Sequence, residues 1–141
     1  MAGIIAKAST VINSPIAKVW NALTNPEIIK QYMFGTNVVS DWKEGSSIVW
    51  KGEWQGNSYE DKGVILKIER ERVLRYTHFS PLSGAPDVPE NYHTLTYELA
   101  DEKDHTLVSL SQDNNATEQE REHSQQMWGT MLGSLKKLLE E

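Results

Sequence analysis

The sequence predicts an α+β fold: a curved antiparallel sheet of about six or seven strands wrapped around one long C-terminal helix, with two short helices after strand one. Three observations predict it. The segment from Thr117 to Glu141 carries one sustained helical period. The segment from Val38 to Asn114 reads as strand and turn in alternation, with no helical stretch between. The strands have one apolar side that water cannot be left to cover, and the terminal helix is the element long enough to cover it.

In chain order, Ile4 to Asn13 alternates as a strand, with Ile5, Lys7, Ser9 and Val11 on one face and Ile4, Ala6, Ala8, Thr10 and Ile12 on the other. Asn13-Ser14-Pro15 ends it and predicts a helix start, with Ser14 as N-cap and Pro15 at the first helical position. Ile16, Val19, Trp20 and Leu23 have helical spacing. Thr24-Asn25-Pro26 breaks this helix and begins a second, with Ile28, Ile29 and Tyr32 inward, and Gly35 ends the pair.

The strands that follow are Val38 to Trp42, Ser47 to Gln55, Tyr59 to Glu69, Val73 to Phe79, His93 to Leu99 and Thr106 to Asp113. Alternation puts Ile48, Trp50, Gly52 and Trp54 on one side of their strand, and Leu74, Tyr76 and His78 on one side of theirs. Leu95, Tyr97 and Leu99 share a face, as do Val108, Leu110 and Gln112. The connections are Lys43-Glu44-Gly45, the hairpin pair Gly56-Asn57, the charged turns Glu69–Arg72 and Asp101–Asp104, and a long loop, Pro81–Asn91, holding three prolines. Gly63, inside a strand pattern, marks a bend or bulge.

For the last element, Thr117 is an N-cap and Glu120 stands at capping-box spacing. Glu118, Glu120 and Glu122 load the first turns with the charge that the helix dipole favours there. Met127, Trp128, Met131, Leu132, Leu135, Leu138 and Leu139 fall within an arc of roughly 140°. A helix of about 24 residues is roughly 36 Å long.

The totals narrow the function. The 141 residues suit one domain with a real core. Formal charge is 14 − 20 = −6, which argues against a nucleic-acid surface. There is no cysteine, hence no disulfide frame or thiolate chemistry. No signal peptide and no apolar run of about 20 residues is read, so the expectation is a cytoplasmic protein without membrane insertion.

The order and spacing of several motifs carry a resemblance. Ser14-Pro15 is followed by Val19-Trp20-Asn21-Ala22-Leu23-Thr24; Gly45 precedes Ile48 and Trp50; Gly63-Val64-Ile65-Leu66-Lys67-Ile68 leads to Arg72-Val73-Leu74-Arg75-Tyr76-Thr77. Thr106-Leu107-Val108-Ser109-Leu110 and the set Trp128, Leu132, Leu135 and Leu138 complete it. The chain so resembles the helix-grip superfamily of START-like domains, and within it the family of the activator of heat-shock-protein ATPase in its bacterial single-domain form, often labelled SRPBCC. It departs from the pattern at His78, where an aromatic residue is usual, and in the Pro81–Asn91 loop. The resemblance implies the helix-grip fold, and it implies either binding of an apolar small molecule or partnership with a heat-shock chaperone.

The candidate cavity lies between sheet and terminal helix, lined by Trp50, Tyr76, His78, Tyr97, Gln112, Met127, Trp128 and Met131. His78 is its best polar candidate, as a hydrogen-bonding group for ligand or as a satisfied rim histidine. Tyr76, Tyr97 and Gln112 add a small polar set, although a sheet core with wet edges has the same composition. Met127 and Met131 suit an adaptable wall or ordinary packing. Trp20, Trp50 and Trp128 are expected in the core, with Trp42 and Trp54 nearer strand ends. Gly129 and Gly133, toward the polar side of the helix, offer close approach to a partner; the oligomeric expectation is a monomer or weak homodimer. His78, His93, His105 and His123 lack metal-ligand spacing, and neither a phosphate loop nor a nucleophile elbow is present. The sequence therefore implies no cofactor, no metal and no catalytic motif. It favours binding of an apolar or aromatic small molecule, lipid-like or polyketide-like, over a chaperone-associated module, with a cyclase- or hydrolase-like enzyme third.

Overall fold

The structure, a computed structural model, describes residues 4–33, 35–54, 56–81 and 84–140, without the side chain of Trp54. The elements are β1 (Ile4–Ile12), α1 (Ile16–Thr24), α2 (Pro26–Tyr32), β2 (Asn37–Ser40), β3 (Ser47–Trp54), β4 (Asn57–Glu69), β5 (Val73–His78), β6 (His93–Asp101), β7 (Thr106–Asn115) and α3 (Glu118–Glu140). The strands form one antiparallel seven-stranded sheet in the order β1-β7-β6-β5-β4-β3-β2. Consecutive strands β1 and β2 lie at opposite edges, and α1 and α2 make the crossing between them. This is the α+β helix-grip architecture that the sequence predicts.

Alternation holds along β1, where Ala6 and Ile12 are buried and Ile5 and Val11 are exposed. The 13-residue β4 turns the sheet's corner. It pairs with β3 from Asn57 to Val64 and with β5 from Ile65 onward, with a register shift between Ile65 and Lys67. Gly63 sits at this corner. A Cβ on it would stand 1.7 Å from the Thr77 carbonyl oxygen, so only glycine permits the approach. The Thr77 hydroxyl accepts from the Val64 N–H at 2.9 Å, in place of a ladder bond. The bend predicted at Gly63 is thus a close backbone crossing, at the point where β4 passes from pairing with β3 to pairing with β5.

The start of α1 differs from expectation. Pro15, not Ser14, holds the N-cap position, because its carbonyl accepts the first helical bonds, from Lys18 and Val19. Ser14 is buried, and its hydroxyl has no partner among the described residues. Its backbone carbonyl accepts from the Thr106 hydroxyl at 2.9 Å, joining the helix start to β7. The second strand ends at Ser40, before Trp42, which adopts a left-handed φ of 57° and packs its ring against the core edge. The last strand runs two residues beyond its predicted end, to Asn115. Within the predicted loop, Pro89–Asn91 forms a short 3-10 turn. Gln55, in the predicted third strand, and Glu141, at the predicted helix end, lie outside the described residues.

α3 is capped as its sequence indicates. The Thr117 hydroxyl accepts from the Glu120 N–H at 3.1 Å, while the Glu120 carboxylate reaches one residue further back than a standard box, to the Ala116 N–H at 2.8 Å. At its far end, Lys18 Nζ donates to the Leu139 carbonyl at 3.1 Å and satisfies one of the last helical acceptors. The buried face of α3 is narrower than the arc of seven residues. Met131, Leu132, Leu135 and Leu139 are buried, Trp128 and Leu138 half-buried, and Met127 is 46% exposed. Ser124 is buried in the helix's first two turns, ahead of Met127, where the apolar pattern begins. Gly129 and Gly133 lie on the exposed side with open space beside them. No helix among the described residues is long and apolar enough to cross a membrane.

Candidate functional site

The two halves of α3 meet the sheet differently. Leu132, Leu135 and Leu139 join a solid core with Ile12, Val19, Leu23, Val108 and Leu110. Toward the N-terminal half the helix stands off the sheet, and a cavity of about 570 Å³ opens there. That volume lies within the range of small-molecule pockets, about 300–1,000 Å³. The cavity's walls come from the sheet and from α3: Met33 and Thr36 after α2, Trp50 on β3, Tyr59 and Asp61 on β4, Tyr76 and His78 on β5, Leu95 on β6, Gln112 on β7, and His123, Ser124, Met127, Trp128 and Met131 on α3.

Of the eight residues selected from sequence, seven line this cavity: Trp50, Tyr76, His78, Gln112, Met127, Trp128 and Met131. Met127 forms part of its exposed rim. Tyr97 does not line it. It is buried beneath the floor, beside a void of only about 10 Å³ that it shares with Trp50 and Tyr76. The tertiary reason is curvature: Leu95, one inward step along β6, meets the cavity, while Tyr97 lies deeper, where α1 and α2 fill the concavity.

The floor is aromatic. The rings of Trp50 and Tyr76 are 5.1 Å apart at 53°, and those of Tyr76 and Tyr97 are 6.1 Å apart at 44°. His78 meets Trp50 edge-on at 4.9 Å. Such tilted contacts suit the ring quadrupoles. Burial pushes the Tyr76 phenol well above its ordinary value, with the neighbouring Tyr97 adding to it, and burial pushes Tyr97 up to about 12. Both are therefore neutral phenols at physiological pH, so neither supplies a phenolate base.

Gln112 is bound into the protein. Its carbonyl accepts from Trp128 Nε1 at 2.7 Å, and its amide donates to Asn115 Oδ1 at 3.3 Å and Ser124 Oγ at 3.4 Å. Ser124 in turn donates to Asn115 Oδ1 at 3.1 Å, and Asn115 donates to the Ile4 carbonyl at 3.0 Å. This buried network ties α3 to β7 and β1 across the cavity's end. Gln112 thus acts as a strut, with both ends of its amide engaged.

Alternation along β4 also brings in Asp61, which the sequence reading passed over. Its side chain is on the inward face with Ile65, and its Oδ2 lies 2.8 Å from His78 Nε2. The signal was present in sequence: Asp61 has the parity of the buried Ile65, so a carboxylate stood on an otherwise apolar face. Parity with Leu95 likewise places His93 inward; it lines the cavity and is held through Nδ1 by the Asp113 carbonyl at 2.9 Å. Tyr59 lies across Gly52, its register partner, and bonds the Thr36 hydroxyl at 2.7 Å. Among the described residues no group of three or more His, Asp or Glu side chains is placed to hold a metal ion.

The family model described as Activator of Hsp90 ATPase homolog 1-like protein matches residues 13–140. The chain belongs to this family. Among solved structures, it is 61% identical to the Cytophaga hutchinsonii protein ChR145 over 99% of this chain and 96% of that one, with a TM-score of 0.88. It is 20% identical to the protein of the Aha1 dimer from Colwellia psychrerythraea, covering 96% of each chain at a TM-score of 0.73. DynU16, a protein in the dynemicin biosynthetic locus, is 15% identical over 96% of this chain and 47% of its own, with a TM-score of 0.79. The latter two are likenesses of fold. No curated protein matches the chain in sequence. As a member of the Activator of Hsp90 ATPase homolog 1-like family, the chain carries His78 in the cavity wall, with Ser80 beside it just before the proline-rich loop. Tyr92 stacks on Phe79 at 5.0 Å and donates to Asp87 at 2.6 Å, and Asp87 pairs with Lys62, anchoring that loop.

Proposed function

We propose that the protein binds an apolar or aromatic small molecule in the cavity between the sheet and the first half of α3. The carrying observation is the cavity of about 570 Å³, floored by Trp50 and Tyr76 and walled by Met131, Trp128 and Leu95. An aromatic floor attracts flat apolar ligands by area and ring contact, and the methionines adapt to their outline. The few polar groups at the mouth give orientation. DynU16, which shares the fold, lies in the dynemicin biosynthetic locus, and a polyketide-like molecule is among the ligands we propose.

Tryptophan fluorescence titrated with a panel of lipids and aromatic polyphenols tests this reading, since Trp50 and Trp128 both line the cavity. At least one member should give a saturable change that Met131→Trp abolishes by filling the space. No saturable change with any member refutes it. The family's description raises a second reading, in which the protein attends a heat-shock chaperone. Stimulation of Hsp90 ATPase activity by the purified protein would favour that reading; its absence would leave the cavity as the functional feature.

A further inference from the structure

We infer that the Asp61–His78 pair reads a hydrogen-bond donor on the ligand, so that the bound molecule is an aromatic or apolar body bearing a hydroxyl, most simply a phenol. This rests on the reading of the cavity as a binding site. An ionised carboxylate only accepts, so the 2.8 Å contact from His78 Nε2 to Asp61 Oδ2 requires the proton on Nε2. In the Nε2–H tautomer that this contact selects, Nδ1 is left as a lone-pair acceptor. His78 has no second hydrogen-bond partner among the described residues, and its side chain, 26% exposed, lines the cavity. The ring's tilt is set by Trp50, against which it rests edge-on.

Asp61 itself points the same way. It stands opposite Trp50 in the β3–β4 register, on the apolar face of the strand. Its second oxygen, Oδ1, is buried and has no partner among the described residues. An orphaned buried acceptor costs stability and calls for a role beyond folding. Fixing the tautomer and orientation of His78 is that role, which makes Asp61 a positioning residue and His78 the group that touches ligand.

The test uses two probes of one shape, naphthol and methoxynaphthalene, of which only the first donates. The wild type should bind naphthol about three- to tenfold more tightly, the worth of one neutral hydrogen bond. His78→Phe should bind both probes and lose that preference. Asp61→Asn should shrink it, because an amide can accept from or donate to Nε2 and so releases the tautomer. Imidazole nitrogen NMR of the unmodified protein should show His78 protonated on Nε2, a readout that depends on no variant. Equal affinities in the wild type, a preference surviving His78→Phe, or an Nδ1–H tautomer each overturn the inference while leaving the cavity reading intact. Binding of neither probe, joined to a silent fluorescence panel, overturns both.

Discussion

Gln112 and Trp128 form the shortest of the side-chain bonds between β7 and α3 among the described residues, and breaking it gives a measurable signature. Gln112→Leu keeps the volume and removes the acceptor 2.7 Å from Trp128 Nε1, together with two long donor contacts of 3.3 and 3.4 Å. Ser124 keeps its bond to Asn115, so the rest of the network survives. The loss is one good hydrogen bond plus a half-buried indole N–H left unpartnered, about 1–3 kcal/mol. Trp128→Phe leaves the buried Gln112 oxygen without a donor and costs a similar amount, with some ring packing in addition. Once both are apolar, no orphan remains. The double variant should therefore be more stable than the sum predicts, with a coupling of about 1–2 kcal/mol. Urea unfolding followed by far-UV circular dichroism, which does not depend on Trp128, gives the four stabilities. Costs that add to within about 0.5 kcal/mol would show that the two side chains are not coupled, and a Gln112→Leu variant as stable as the wild type would show that the bond does not bear on stability.

Other perturbations have equally definite outcomes. Tyr32, Tyr76 and Tyr97 all carry raised pKa values from burial, so their stabilising effect is complete below the unfolded value of 10 and is lost as pH rises through the folded values, about 12 for Tyr97. Each removes about 1.4 kcal/mol per pH unit in that window. In an alkaline titration, phenolate absorbance from these three should therefore appear together with loss of circular dichroism; smooth ionisation of all five tyrosines in the folded protein contradicts it. Gly63→Ala puts a Cβ against the Thr77 carbonyl and should cost about 3 kcal/mol or more in denaturant unfolding, since backbone rather than a flexible side chain must move. A loss below about 1 kcal/mol would mean the β4 corner yields easily. Thr117→Ala removes the cap of α3 and should cost about 1 kcal/mol, while Thr117→Ser should restore most of it.

Much of this protein was legible in its sequence because periodicity is a local property. The period of 2 assigned the inward faces of β3, β5, β6 and β7, and with them the residues that meet around the cavity. The period of 3.6 and the Thr117–Glu120 pair fixed α3. Fold and family followed from the order of these patterns. Three things were decided only in three dimensions. Depth is one: Tyr97 and Leu95 share a face and a strand, yet curvature buries the first under the floor and leaves the second in the wall. Partnership is another: Gln112 reads as a free polar pocket group until Trp128, Asn115 and Ser124 are seen to occupy its amide. The third is the approach of Asp61 to His78, two residues seventeen apart in sequence that the β4–β5 pairing past Gly63 brings together. Local alternation states which way a side chain points. How far the sheet bends, and so which inward side chains meet a ligand or each other, is set by contacts distant in the chain.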